Sequence, residues 1–276
     1  MTIAPAAPVL QSPRALIFTV FGLYVRDLGG WISVQRLIEL MDPVGIDAPA
    51  VRSSVSRLKK RGILIGERRD GVAGYALSDY AESVLAEGDR RIFRREEPQG
   101  ADWVLAVFSV PESERTKRHE LRSRLSWLGF ATISSGTWIA PAHVADDTRR
   151  VLARDGLEHY VELFHADHLG FGDAAALVAE WWDLAAIDEQ YRAFVAQCQP
   201  LLRRWRREGD VAGTGQSAHA DYVRLLTIWR QLPYLDPGLP AALLPPRWAG
   251  ASAANAFAEV QELLENRARE YAIGTV

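Results

Sequence analysis

The segment DAPAVRSSVSRLKKRGILIGERR, Asp47 to Arg69, decides the fold of the first third of the chain. Asp47 is placed to cap a helix, and Pro49 falls in the first turn, where its missing N–H is no loss. At about 100° per residue, Val51, Val55 and Leu58 lie within about 60° of one another and must face a core. The opposite side then carries Ser53, Ser56, Arg57 and Lys60, with Arg52 and Lys59 on one flank. Such a face suits a major groove, because arginine donates two hydrogen bonds to guanine and serine reaches phosphate or base. After Gly62 the period changes from 3.6 to 2. Ile63 to Arg69 is then a strand, Asp70-Gly71 begins a turn, and Tyr75 to Leu77 returns as the partner.

Upstream, Arg14 to Leu28 is a helical run, apolar around most of its circumference and so buried. Gly29-Gly30 ends it by taking the left-handed conformation without steric cost. Trp31-Ile32 is a short extended piece. Ser33 caps a second helix with Val34, Leu37, Ile38 and Met41 inward, closed by Pro43 and Gly45. Three helices followed by a hairpin make a winged helix-turn-helix, with Arg68 and Arg69 at the wing tip to contact phosphate or enter the minor groove. The competing readings are a basic helix that is simply solvated, and a winged helix that docks protein.

The 276 residues carry a formal charge of −3, which by itself gives no reason to expect nucleic acid. The charge is uneven, however. Asp47 to Arg69 holds seven basic residues against two acids, a net +5 that leaves −8 for the remainder. A composition of 48% hydrophobic and 24% charged residues excludes disordered, collagenous and coiled-coil classes. A single cysteine, Cys198, cannot make an internal disulfide or a cysteine-rich zinc site, and a cytoplasmic location follows as the expectation. The longest apolar run, Ala15 to Val25, is too short to span a bilayer, so no membrane partner is expected. Met1 to Ser12 lacks the basic start of a secretory signal and reads as a loose Pro/Ala tail.

Ser78 to Arg91 is a further helix, and Pro98-Gln99-Gly100 reads as a linker. Beyond it, strand Trp103–Val110, helix Glu114–Leu128, strands Phe130–Ser134 and Thr137–Ala140, helix Pro141–Ala153 and strand Leu157–Phe164 give the order βαββαβ of a ferredoxin-like domain. A metal-dependent nuclease of that shape needs a carboxylate at the end of the first strand. Ser109-Val110-Pro111 stands there instead, and Glu112 falls where it begins the helix, so no catalytic residue is assigned and the chain is not expected to be an enzyme. His159, His165, Asp167 and His168 form the one metal-like cluster. They sit at a strand end rather than on one helix face and read as surface or pocket-lining groups, so no metal is assigned. Ala212 to Gln216 lacks the lysine and the strand-before-helix context of a phosphate loop and reads as a flexible loop.

Ile187 to Arg207 is a long amphipathic helix in which Cys198 occupies a core position. Its last turns hold Arg203, Arg204, Arg206 and Arg207, either a solvated end stabilised by the helix dipole or a binder of ligand phosphates. Another helix runs from near Asp221 to about Gln231. A proline-rich bridge from Leu235 to Gly250 and a last helix from Ala253 to about Tyr271 complete the chain.

At that bridge, in Asp236-Pro237-Gly238-Leu239-Pro240, the chain resembles the PaaX family of bacterial transcriptional regulators. The same pattern recurs in Val51-Arg52 through Arg57-Leu58, Gly62-Ile63-Leu64, Tyr75-Ala76-Leu77, Leu121-Arg122 through Leu128-Gly129-Phe130, and Trp138-Ile139-Ala140-Pro141. The resemblance runs over nearly the whole chain from about Pro13. It implies an α+β protein in three parts: an N-terminal winged helix-turn-helix (13–95), a central ferredoxin-like, Cas2-like domain without nuclease duty (100–180), and a helical C-terminal domain (181–276). It further implies a homodimeric repressor of a phenylacetate-type operon that binds a double-stranded DNA operator. Release would come from an aryl-CoA thioester, most typically phenylacetyl-CoA, with no permanent cofactor. Before the bridge this chain has Thr227-Ile228-Trp229-Arg230 where the family more usually shows a His-Glu-Tyr-Arg type segment. Arg230 carries over, and with Arg203 and Arg204 it is the candidate effector contact. The candidate DNA contacts are Arg52, Ser53, Ser56, Arg57, Lys59, Lys60, Arg68 and Arg69. A nuclease of Cas2-like type, or a winged-helix regulator answering to a protein partner or another small molecule, are the alternatives.

Overall fold

The computed structural model describes residues 12–93, 102–170, 172–208 and 214–274. In chain order its elements begin with α1 (Pro13–Val20), continued by a π-helical turn (Phe21–Val25), β1 (Trp31–Ser33), α2 (Val34–Met41) and α3 (Ala48–Lys60). Strands β2 (Leu64–Arg69) and β3 (Val72–Leu77) and helix α4 (Asp79–Phe93) follow. Next come β4 (Trp103–Phe108), α5 (Arg115–Trp127), β5 (Ala131–Ser134), β6 (Thr137–Pro141), α6 (Ala145–Arg154) and β7 (Val161–Ala166). The last are helices α7 (Ala174–Trp181), α8 (Leu184–Glu208), α9 (Gly215–Trp229), α10 (Leu232–Leu235) and α11 (Gly250–Ile273). The described residues pack as two units, one formed from 12–93, 192–230 and 251–274, the other from 102–191 and 231–250. This grouping interleaves the C-terminal residues with both earlier regions. The linker expected at Pro98-Gln99-Gly100 and the tail from Met1 to Gln11 lie outside the described residues.

In the first unit, α1 packs against both α3 and α9, with Leu16, Ile17, Thr19 and Val20 buried. The run expected from Arg14 to Leu28 is helical but widens at Phe21, where the Arg26 N–H reaches back five residues to the Phe21 carbonyl. The Arg26 guanidinium donates to the Gly22 carbonyl (3.3 Å) and pairs with Asp89 of α4 (2.6 Å). Gly29 and Gly30 end the run at φ 81° and 75°, as their lack of a Cβ allows. Ser33 caps α2 by accepting from the Arg36 N–H, and Asp47 caps α3 by accepting from the Ala50 N–H (2.8 Å). The antiparallel sheet runs β1-β3-β2, with Leu64 opposite Leu77 and Arg69 opposite Val72 around the Asp70-Gly71 turn. Helix α9 is buried on nearly every side, so it is a core element of this unit. It begins at Gly215, six residues before the expected start near Asp221, and Gly215 and Gln216 are therefore helical rather than loop.

The second unit holds a four-stranded antiparallel sheet in the order β5-β6-β4-β7, and the βαββαβ succession is the one expected. Alternation on β4 sends Val104, Ala106 and Phe108 to one face, where they pack with Leu121 and Leu125 of α5 and Val151 and Leu152 of α6. The other face carries Trp103, stacked on Trp182 and edge-on to Trp181. The Trp182 indole N–H donates to the Gly129 carbonyl (3.0 Å). The last strand starts at Val161, because Glu158–Tyr160 form a 3-10 turn where extended chain was expected. Asp236 organises the proline-rich bridge by accepting from the Tyr191 hydroxyl and the Gly238 N–H, both at 2.8 Å. Gly238 sits at φ 68°, which explains a glycine there.

Candidate nucleic-acid interface

Helix α3 is about 20 Å long at 1.5 Å per residue. Val51, Ser54, Val55 and Leu58 are buried, and all six face residues read from the sequence (Arg52, Ser53, Ser56, Arg57, Lys59 and Lys60) are exposed. The elements on either side fix its orientation. Leu37, Leu40 and Met41 of α2 are buried behind it, and Gly62, at φ 67°, reverses the chain from its C-terminal end into β2.

The charges on this face have no acid to answer them. Arg52, Arg57, Lys59, Lys60 and Arg61 make no ion pair or side-chain hydrogen bond among the described residues, whereas most other arginines of this unit are engaged. Cations of the last turn complement the negative end of the helix dipole, which explains their tolerance but leaves their donors free. Lys59 lies along β2, its ammonium 3.0 Å from where a Cβ on Gly66 would stand.

The arginines of the β2–β3 hairpin are employed differently. Arg69 pairs with Glu67 (2.9 Å), donates to the Gly29 carbonyl (3.1 Å) and lies over the Trp31 ring. The Trp31 ring in turn covers Gly74, where a Cβ would stand 2.3 Å from the indole and 2.4 Å from the Ile32 carbonyl oxygen. Arg69 is thus a latch between hairpin and β1. Arg68 donates to the Gly71 carbonyl within the turn and stays exposed, with Ile65 and Val72 exposed beside it on the hairpin. Sequence reasoning missed the latch because Trp31 and Gly29 lie 38 and 40 residues from Arg69.

The candidate effector arginines are not brought together. Arg204 pairs with Asp221 and lies over Trp205, which also donates to Asp221 (3.0 Å). Arg230 donates to the Ala15 carbonyl (3.2 Å) and lies over Phe18. Both join the C-terminal helices to their own unit, while Arg203 is exposed. The segment that departs from the family pattern is also a seam. The Thr227 hydroxyl meets that of Thr19 at 2.7 Å, and the Trp229 indole N–H donates to the Ile92 carbonyl. His219, which no sequence pattern singled out, is fully buried; its Nε2 meets the Leu40 carbonyl of α2 at 2.8 Å. Its Nδ1 faces the Tyr24 hydroxyl at 3.4 Å, and burial lowers its pKa to about 4.

In the second unit, Glu112 pairs with Arg118 (2.9 Å) and Glu114 accepts from the Tyr160 hydroxyl, so the acids after β4 hold the start of α5. His159 lies beside Glu158, His165 beside Asp102 at 3.7 Å, and His168 against the Trp181 edge. Among the described residues no three potential ligands gather closely enough for a metal ion, and no helix is long and apolar enough to cross a membrane.

The chain carries a ferredoxin-like domain and a small helical module with an unneutralised cationic helix, and its similarity to known proteins makes it a transcriptional regulator. Three family models describe it in succession: "PaaX-like protein" over residues 12–81, "PaaX protein central Cas2-like domain" over 96–178 and "PaaX-like protein C-terminal domain" over 182–274. The chain belongs to the PaaX family. It is 27% identical over 252 residues to the transcriptional repressor PaaX of Escherichia coli (strain K12), covering 90% of this chain and 78% of that one. It shares its fold with the uncharacterized protein Rv0674 from Mycobacterium tuberculosis, at TM-score 0.57 and 21% identity, covering 95% of this chain and 98% of the other.

Proposed function

We propose that the chain is a sequence-specific DNA-binding repressor in which α1 to α3 and the β2–β3 hairpin act as a winged helix-turn-helix. The observation that carries this reading is the exposed face of α3, which holds four cations without acid partners, with a fifth, Arg61, at its C-cap, next to two free serine hydroxyls. Helix α3 enters the major groove. Arg52 and Arg57 read base edges, Ser53, Ser56, Lys59 and Lys60 hold base or phosphate, and Arg68 follows the backbone from the wing. Arg69 contributes by holding the wing in place. A homodimer would set two such helices on half-sites one or more helical turns apart.

Our reading of the regulated genes and the effector rests on the family resemblance. The operon is of the aromatic-acid, phenylacetate type, and an aryl-CoA thioester such as phenylacetyl-CoA releases the repressor. Packing of α1 against α9 supports a route for release, since a shift of α9 moves the helix on which α3 rests. The test is a titration of the protein and its Arg57→Ala variant against the DNA upstream of its own operon. Loss of a base-reading arginine should weaken binding by about 1–3 kcal/mol and relax the preference at one base position. Unchanged affinity and preference would remove α3 as the reader.

A further inference from the structure

Helix α8 carries an open groove of about 490 Å³ lined by Pro200, Arg203, Arg206 and Arg207. Arg206 is already answered by Glu259 of α11, through two hydrogen bonds of 2.5 and 2.7 Å. Arg204, the remaining arginine of the run, turns away to Asp221. Arg203 and Arg207 have no partner among the described residues. They stand four residues apart, hence on one side of the helix about one turn from each other. Two unanswered guanidinium groups on one side of a helix repel, and each offers a planar fork of donors that fits phosphate oxygens.

We propose that this groove binds the phosphate or pyrophosphate group of a small molecule. Arg203 and Arg207 donate to the phosphate oxygens, and Arg206, held by Glu259, supplies a fixed wall. The volume is that of a small-ligand site. Glu259 answers Arg206, so two of the three arginines lining the groove are left to donate; two forks one helical turn apart suit one compact phosphate group, and the observations favour a small phosphorylated molecule over a DNA backbone. As a regulatory site this deepens the reading of the chain as an effector-released repressor; phosphate binding itself is measurable without DNA.

The experiment uses the full chain in phosphate-free, low-salt buffer, with inorganic pyrophosphate and coenzyme A as separate probes, by calorimetric titration and thermal shift. Both probes should bind the wild type and raise its melting temperature. Arg207→Gln, at an exposed side chain without a partner, should weaken pyrophosphate by about tenfold or more, and Arg203→Gln/Arg207→Gln should abolish it. Should the double variant not fold, the single variant decides. No binding by the wild type at about 10 mM pyrophosphate, a concentration that would register even a millimolar site, overturns the proposal. So does undiminished binding by Arg207→Gln. Weakened DNA binding by the ligand-free variants would assign the groove to DNA backbone and also overturn it. If pyrophosphate binds as expected but no DNA does, the repressor reading fails and the groove stands.

Discussion

His219→Gln isolates a buried titratable pin between α9 and the helices that pack with α3. The His219 ring is fully buried, and the groups around it are Tyr24 on the π-helical turn, Arg36 and the Leu40 carbonyl on α2, and Tyr271 on α11. Burial is the leading cause that lowers its pKa from 6.5 to about 4. The unfolded chain therefore takes up a proton below about pH 6.5, while the folded chain resists until about pH 4. Stability is complete above the unfolded value and drains away as pH falls from about 6.5 to 4. A difference of this size corresponds to about 3 kcal/mol between the two limits, of which roughly 1 kcal/mol is lost by pH 5.5. Glutamine cannot titrate but can keep a donor near the Leu40 carbonyl. At pH 8 the variant should be less stable by about 1–3 kcal/mol, through lost ring packing and the Tyr24 contact. Urea unfolding of both proteins from pH 8 to 4 supplies the assay, and subtracting one from the other removes the titration of every other group. The gap should close on acidification and vanish or reverse near pH 4. A gap independent of pH would mean that His219 is not held neutral, and the α9–α2 pin would have to be abandoned.

Gly74→Ala would force a Cβ to within 2.3 Å of the Trp31 ring and 2.4 Å of the Ile32 carbonyl oxygen. Backbone on one side prevents relief, so we expect a loss of about 1–3 kcal/mol or more, with weaker operator binding, by thermal melting and DNA titration. The Arg36 guanidinium donates to the Tyr271 and Ala272 carbonyls at 3.0 Å, closing the end of α11. Arg36→Ala should therefore lower stability by about 1.5–3 kcal/mol in denaturant unfolding, and a neutral result would show that water replaces the cap. Cys198 is buried, and burial pushes its thiol up to about 12. A thiol reagent at pH 8 should label it only as fast as the chain opens, and prompt labelling of the folded protein would contradict its core position.

Helix α3 was legible because its signals are local. A cap at Asp47, apolar residues at helical spacing and a glycine at the required left-handed position all lie within sixteen residues. The βαββαβ order was legible for the same reason, since each strand and helix carries its own period. Long-range choices left no local trace. Nothing near Arg69 announces Trp31 or Gly29, and nothing in a run of four arginines says that Arg204 and Arg206 turn to Asp221 and Glu259 while Arg203 and Arg207 stay open. The start of α9 was missed because Gly215 is a poor and Ser217 a weaker helix former, and tertiary burial of Ala218, His219 and Ala220 overrides that preference. The π-helical turn is likewise a packing feature, set where Gly22 lies against Leu85 and Arg26 reaches Asp89.

Partition of the charge gives the central claim its physical form. The whole chain is acidic, yet one exposed face of α3 gathers Arg52, Arg57, Lys59 and Lys60 without acid partners, so on our proposal this face supplies the attraction to the DNA backbone. The most direct measurement is the salt dependence of binding to the upstream DNA, for the wild type and for Lys59→Ala/Lys60→Ala. Each phosphate contact contributes about 0.9 to the slope of log affinity against log salt, so the double variant should lose about 1.8 per bound protomer. An equal slope for both proteins would place the phosphate contacts elsewhere and contradict the assignment of α3 to DNA.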